Sequence, residues 1–171
     1  MPPTIALLFV IVMLQSPSGA TSASAPLSSC AGPEYRQFDF WVGRWDVKGP
    51  EGGHAGTNEI QSLHGGCVLL ENWKGARGVT GTSINMYVAS EKEWQQTWAD
   101  STGSLLVLRG GMQGGSMQMT GPGYQPGSPQ SLNRLTWTPN ADGSVRQFWE
   151  VSTDNGKTWS VMFDGRYVRS R

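Results

Sequence analysis

From residue 38 onward the chain alternates between apolar and polar positions with a period of two. Trp94, Gln96 and Trp98 fall on one face of a segment, with Gln95 and Thr97 on the other. Val145, Gln147, Trp149 and Val151 oppose Ser144, Arg146, Phe148 and Glu150; Leu135 and Trp137 alternate with Arg134 and Thr136; Asn85 and Tyr87 oppose Ile84 and Met86. The pattern predicts strands at about 40–48, 55–63, 67–74, 79–89, 94–99, 104–109, 115–120, 131–138, 144–152 and 158–168. Turn formers separate them, among them Gly49-Pro50-Glu51-Gly52-Gly53, Gly65-Gly66, Asp100 to Gly103, Asn140-Ala141-Asp142-Gly143 and Asp154-Asn155-Gly156. The stretch 110–129 breaks the rhythm with repeated Gly and Pro, and its part from Gly121 to Gln130 is expected to be a mobile loop. The fold class is therefore all-β: a single antiparallel up-and-down β-barrel of about ten strands, closed so that no sheet edge stays exposed. A sandwich is the competing architecture.

The beginning of the chain follows other rules. Ile5 to Leu14 is an apolar run of ten residues, too short to span a bilayer as a helix. A small, polar stretch follows it, with Ala23-Ser24-Ala25 as an A-x-A processing site. Residues 1–25 are thus expected to be a signal peptide and 26–171 the barrel domain, with no integral membrane segment in the mature chain. The expected location is periplasmic or extracellular. A buried first strand is the alternative reading of the apolar run. In an oxidising compartment Cys30 and Cys67, the two cysteines of the chain, form a disulfide; two free buried thiols are the alternative.

Composition narrows the function classes. With 23 Gly and 10 Pro in 171 residues a mostly helical protein is excluded, and 8 Trp are too many for a disordered tail. Thirteen basic against 13 acidic side chains make no footprint for nucleic acid, which is not an expected partner. His54 and His64 are the only histidines and belong to no metal-ligand spacing, so no metal and no cofactor are expected. Gly156-Lys157-Thr158 lacks the glycine five positions upstream that a phosphate-binding loop needs. No G-x-S-x-G nucleophile elbow occurs either.

Ser152-x-Asp154-x-Gly156-x-Thr158-Trp159 fits an Asp-box. In it Asp154 accepts turn N–H groups, Gly156 takes positive φ and Trp159 anchors the hairpin, a structural role.

A series of motifs runs through nearly the whole mature chain. It comprises Phe38-Asp39-Phe40-Trp41-x-Gly43-x-Trp45, Gly66-Cys67-Val68-Leu69-x-Glu71-x-Trp73, Gly81-x-Ser83-x-Asn85-x-Tyr87, Trp94-x-Gln96-x-Trp98-x-Asp100 and Phe163-Asp164-Gly165-x-Tyr167. Taken together it resembles a family of bacterial exported proteins of unknown function with a lipocalin-like (calycin-type) barrel. The resemblance implies that Trp45 closes one barrel end beneath an arginine, and that the interior can hold a small molecule. Related haem-binding barrels use a late histidine, which this chain lacks after His64.

Aromatic and polar groups on the same strands suit a barrel that encloses a partly polar cavity. The expected function is an exported binder of a small, partly apolar ligand, with Trp73, Asn85, Tyr87, Gln96, Trp98, Arg134, Trp137 and Glu150 as ligand-binding residues. Two alternatives stand beside it. One is a cyclase- or isomerase-type enzyme using Glu71 or Glu150 as acid or base. The other is a structural or interaction module with a filled barrel.

Overall fold

Period-two patterning and short turns build the sheet hairpin by hairpin. The computed structural model describes residues 30–124, 127 and 129–170. The expected leader, residues 1–25, lies outside the described residues. Ten strands follow in order: β1 (Gly43–Lys48), β2 (His54–Leu63), β3 (Val68–Gly75), β4 (Thr80–Val88), β5 (Glu93–Asp100), β6 (Leu105–Gln113), β7 (Ser116–Tyr124), β8 (Ser131–Pro139), β9 (Val145–Ser152) and β10 (Ser160–Arg169). Each pairs antiparallel with its neighbours in sequence, and β1 meets β10 to close a single barrel. The closing ladder sets Trp45 to Lys48 against Arg169 to Arg166. The meander is therefore closed, and the sandwich is excluded. Among the described residues no helix is long and apolar enough to cross a membrane.

Two segments differ from the sequence expectation. The first strand begins at Gly43 rather than near residue 40, because Asp39–Trp41 form a turn of 3₁₀ helix preceded by another at Pro33–Arg36. These turns carry the chain across one end of the barrel. The second difference lies in the Gly-rich stretch. Instead of leaving the sheet, β6 continues through Gly110-Gly111, and β7 continues through Gly121-Pro122-Gly123 to Tyr124. The glycines here serve close approach. A Cβ on Gly110 would lie 2.1 Å from the Gln118 carbonyl oxygen, and one on Gly121 2.1 Å from that of Val107.

The plugged end gathers much of the fully buried aromatic core. Phe38 and Trp41 are fully buried, their rings stacked at 4.9 Å. Phe38 meets the edges or faces of Trp94 at 5.6 Å and Trp137 at 5.2 Å. Tyr35 packs edge-on against Tyr87 at 5.2 Å. The indole of Trp45 donates to the Trp41 carbonyl at 2.8 Å, and the Arg169 guanidinium lies 4.0 Å above its ring. Leu69, Leu108, Met117 and Met119 complete the layer from the barrel wall. A Cys30–Cys67 disulfide, with Cα atoms 5.2 Å apart, ties the start of the plug to the turn between β2 and β3.

Candidate functional site

Above the plug the inward positions change character. On β2 to β5 they are Asn58, Glu71, Ser83 with Asn85, and Gln96, all buried. A run of polar side chains facing a barrel interior must satisfy itself, and these do so across the strands. Asn58 Nδ2 donates to Glu71 Oε1 at 2.7 Å and Ser83 Oγ to Glu71 Oε2 at 2.5 Å. Asn85 Nδ2 donates to Ser83 Oγ at 2.8 Å, and Gln96 Nε2 to Asn85 Oδ1 at 2.8 Å. From the opposite wall the Tyr167 hydroxyl donates to Gln147 Oε1 and lies 3.4 Å from Asn58 Nδ2. The Oδ1 atom of Asn58 is buried without a donor.

Glu71 is the unusual member. Its carboxyl is pushed up to about 7, because burial outweighs the hydrogen bonds from Ser83 and Asn58. Burial, with the Glu71 charge nearby, likewise holds the Tyr167 phenol well above its ordinary value against the opposing bond from Asn58. Rotating the Asn58 amide by half a turn exchanges its oxygen and nitrogen at nearly the same positions. A protonated Glu71 then donates to the otherwise unpartnered Oδ1. The belt therefore accommodates both forms of the carboxyl.

A cavity of about 100 Å³ opens above the belt. Its polar floor is Glu71, Gln96, Gln147 and Tyr167; its walls include Leu106 and Leu135; Trp73, Trp98, Trp149 and Phe163 surround its upper part. Three of those rings lie against glycines. A Cβ on Gly56 would come within 2.7 Å of Trp73, one on Gly81 within 2.2 Å of Trp98, and one on Gly165 within 2.4 Å of Phe163. The missing side chains are the space the rings occupy. Trp98 and Trp149 direct their indole N–H groups to Asp100 Oδ2 at 3.1 Å and Asn133 Oδ1 at 2.8 Å.

Of the residues expected to bind a ligand, Trp73, Gln96 and Trp98 line this cavity. Asn85 belongs to the polar belt beside it. Tyr87 and Trp137 also face inward but belong to the plugged end, against Tyr35 and Phe38. Arg134 and Glu150 are not among the lining residues. They pair across β8 and β9 at positions alternating with the inward Leu135 and Trp149, with Arg134 Nε 2.9 Å from Glu150 Oε2. The Arg134 guanidinium also covers the Trp159 ring at 4.1 Å. Strand parity forces this separation, because Arg134 and Trp137 are an odd number of residues apart and cannot share a face.

Gln147, Trp149, Phe163 and Tyr167 complete the cavity without having been singled out as ligand-binding positions. Their signal was the parity of β9 and β10: Gln147 and Trp149 share a face with the buried Val145, and Phe163 shares one with Tyr167. The β9–β10 hairpin is held by Asp154, which accepts from Thr158 Oγ1 at 2.6 Å, Thr158 N at 2.9 Å and Lys157 N at 3.0 Å. Those bonds hold its carboxyl at about 2. Gly156 takes a φ of 85°, and its carbonyl accepts from the Trp159 indole at 3.1 Å. Among the described residues no group of three or more His, Cys, Asp and Glu is placed to hold a metal ion.

Fold and site together define a closed antiparallel barrel, plugged at one end, with an aromatic-lined cavity over a buried carboxylate. Set against models of known protein families and against curated proteins, the chain matches none of them.

Proposed function

We propose that this chain is an exported binding protein that holds a small, partly apolar ligand in a lipocalin-like barrel. The observation that carries the reading is the cavity: aromatic rings above, hydrogen-bonding groups below, and a plug beneath the polar belt. Such a combination of apolar area with a few converging polar groups is what small-molecule sites are made of. A space of about 100 Å³ accepts a compact molecule, on the scale of a single small ring. Trp73, Gln96 and Trp98 are the proposed contacts carried over from the sequence, joined by Gln147, Trp149 and Phe163. Export fits the apolar run of residues 5–14 and the disulfide between Cys30 and Cys67.

Native mass spectrometry of the protein purified from its own source tests this. The expected result is a complex that releases one small molecule on denaturation, from a chain lacking residues 1–25 and two hydrogens lighter than its reduced form. A protein that emerges empty and takes up no small molecule in solution overturns the reading.

Glu71 favours a second reading, an isomerase- or cyclase-type enzyme in the same cavity. A carboxyl that titrates at about 7 and faces the cavity has the proton affinity of a general acid or base. Glu150, the other candidate from the sequence, is engaged by Arg134 away from the cavity. Under this reading Glu71→Gln abolishes turnover and leaves ligand affinity intact.

A further inference from the structure

The belt contains a buried carboxyl group with no positive partner. Glu71 is 4% exposed, and its hydrogen-bond donors are the neutral groups of Asn58 and Ser83. The salt bridges of the described residues all lie elsewhere, and none includes Glu71. No lysine, arginine or histidine is among the residues lining the cavity. An ionised carboxylate in such a place is strongly disfavoured unless a countercharge arrives. It can take up a proton, or it can be neutralised by what enters the cavity.

The upper part of the cavity indicates which. Trp73, Trp98, Trp149 and Phe163 line it, and two of the indole N–H groups are occupied elsewhere. Ring faces carry negative quadrupolar charge and attract cations, tryptophan most strongly. Trp98 donates its N–H to the Asp100 carboxylate, which adds electron density to its ring. An anion would meet repulsion from Glu71. A neutral molecule would fill the space and leave Glu71 to be neutralised by a proton alone.

We propose that the ligand is a small organic ammonium ion, held with its charge among the aromatic rings and opposite Glu71. The inference rests on the cavity being a ligand site, and deepens that reading by naming the ligand class. It also implies proton linkage, since the ligand and a proton compete for the same carboxylate. The groups facing Glu71 are Asn58 on β2, Ser83 on β4, Gln96 on β5, Gln147 on β9 and Tyr167 on β10. Of these only Tyr167 titrates, and burial keeps it neutral throughout the range that matters.

The test uses two matched pairs on the full mature chain: choline against its uncharged isostere 3,3-dimethylbutan-1-ol, and benzylamine against benzyl alcohol. Titration calorimetry at pH 8 is expected to show the charged member of at least one pair binding ten or more times tighter than the neutral one. Choline keeps its charge at every pH. With Glu71 titrating at about 7, its affinity is expected to fall about tenfold from pH 8 to pH 6, while the alcohol is little affected. In Glu71→Gln the charge preference disappears and the affinity for 3,3-dimethylbutan-1-ol persists, which shows that the cavity is intact. If that variant does not fold, the pH series on the unmodified protein still decides. Equal binding of charged and neutral members, or choline affinity independent of pH, overturns the inference and leaves the binding reading standing. No binding by any of the four overturns the inference as well. In that case a retained neutral or anionic molecule in native mass spectrometry preserves the binding reading, and an empty protein removes both.

Discussion

Replacing Glu71 with glutamine is expected to make the unliganded protein more stable above neutral pH, and the size of the effect follows from the carboxyl's surroundings. In the unfolded chain Glu71 titrates near 4.5; in the barrel, where burial disfavours its charge, it titrates at about 7. Below pH 4.5 both states are protonated and the residue has no effect on the balance. As pH rises through the window the unfolded chain releases its proton first, so folding stability falls by about 1.4 kcal/mol per pH unit. The fall ends as pH passes about 7, after a loss of about 3 kcal/mol. Glutamine cannot titrate, and its amide can donate to the Asn58 oxygen that lacks a partner. Urea denaturation followed by tryptophan fluorescence at pH 4.5, 6, 7 and 8 measures the two proteins side by side. The midpoint of the glutamine variant is expected to gain on the unmodified protein by about 1–2 M urea across that range, taking a slope of about 2 kcal/mol/M. Asp154, Asp164 and Asp142 are held below their ordinary values and lose their contribution only in more acid solution, equally in both proteins. Midpoints that move in parallel from pH 4.5 to 8 would refute the reasoning.

Three further outcomes follow from the packing. Reducing the Cys30–Cys67 bond opens a loop of 37 residues and should cost about 4 kcal/mol on the chain-entropy estimate, read as a drop in the urea midpoint with reductant. Trp41→Ala removes a fully buried ring from the plug and should cost about 3–5 kcal/mol in the same assay; an unchanged midpoint would show that the plug is dispensable. Gly81→Ala sets a methyl group within 2.2 Å of the Trp98 ring, so a loss of about 1–3 kcal/mol and a shift in tryptophan emission are expected.

The strands were legible because alternation and turn chemistry are local. All ten appear close to their expected positions, including Glu93–Asp100, where Trp94, Gln96 and Trp98 share the inward face. Parity was legible too, but grouping residues by chemistry crossed it: Arg134 and Glu150 have the polarity of a ligand site and sit on the other face of their strands. Phe40 and Trp41 read as the start of a strand because their aromatic composition is strand-like, whereas their role is to turn the chain back over the barrel end. That role depends on partners such as Trp94 and Trp137, far along the chain. Gly121 to Gly123 read as a loop, because a sequence does not show that two backbones will approach too closely for a Cβ. The cavity is a product of closure, and only the closed barrel brings Glu71 and Tyr167 to one floor.

The closing ladder between β1 and β10 has a consequence for assembly. Every other pairing joins strands that follow one another, so each hairpin can form while the remainder of the chain is still unstructured. Trp45 and Arg169 must find each other from opposite ends of the described chain, and a contact that closes so long a loop forms late. The plug precedes β1, yet it has nowhere to dock until the last seam is sewn. The Cys30–Cys67 bond fastens it to the β2–β3 hairpin, within reach of the opening it must fill. Once formed, that bond keeps the stopper beside the bottle even when the seam comes open.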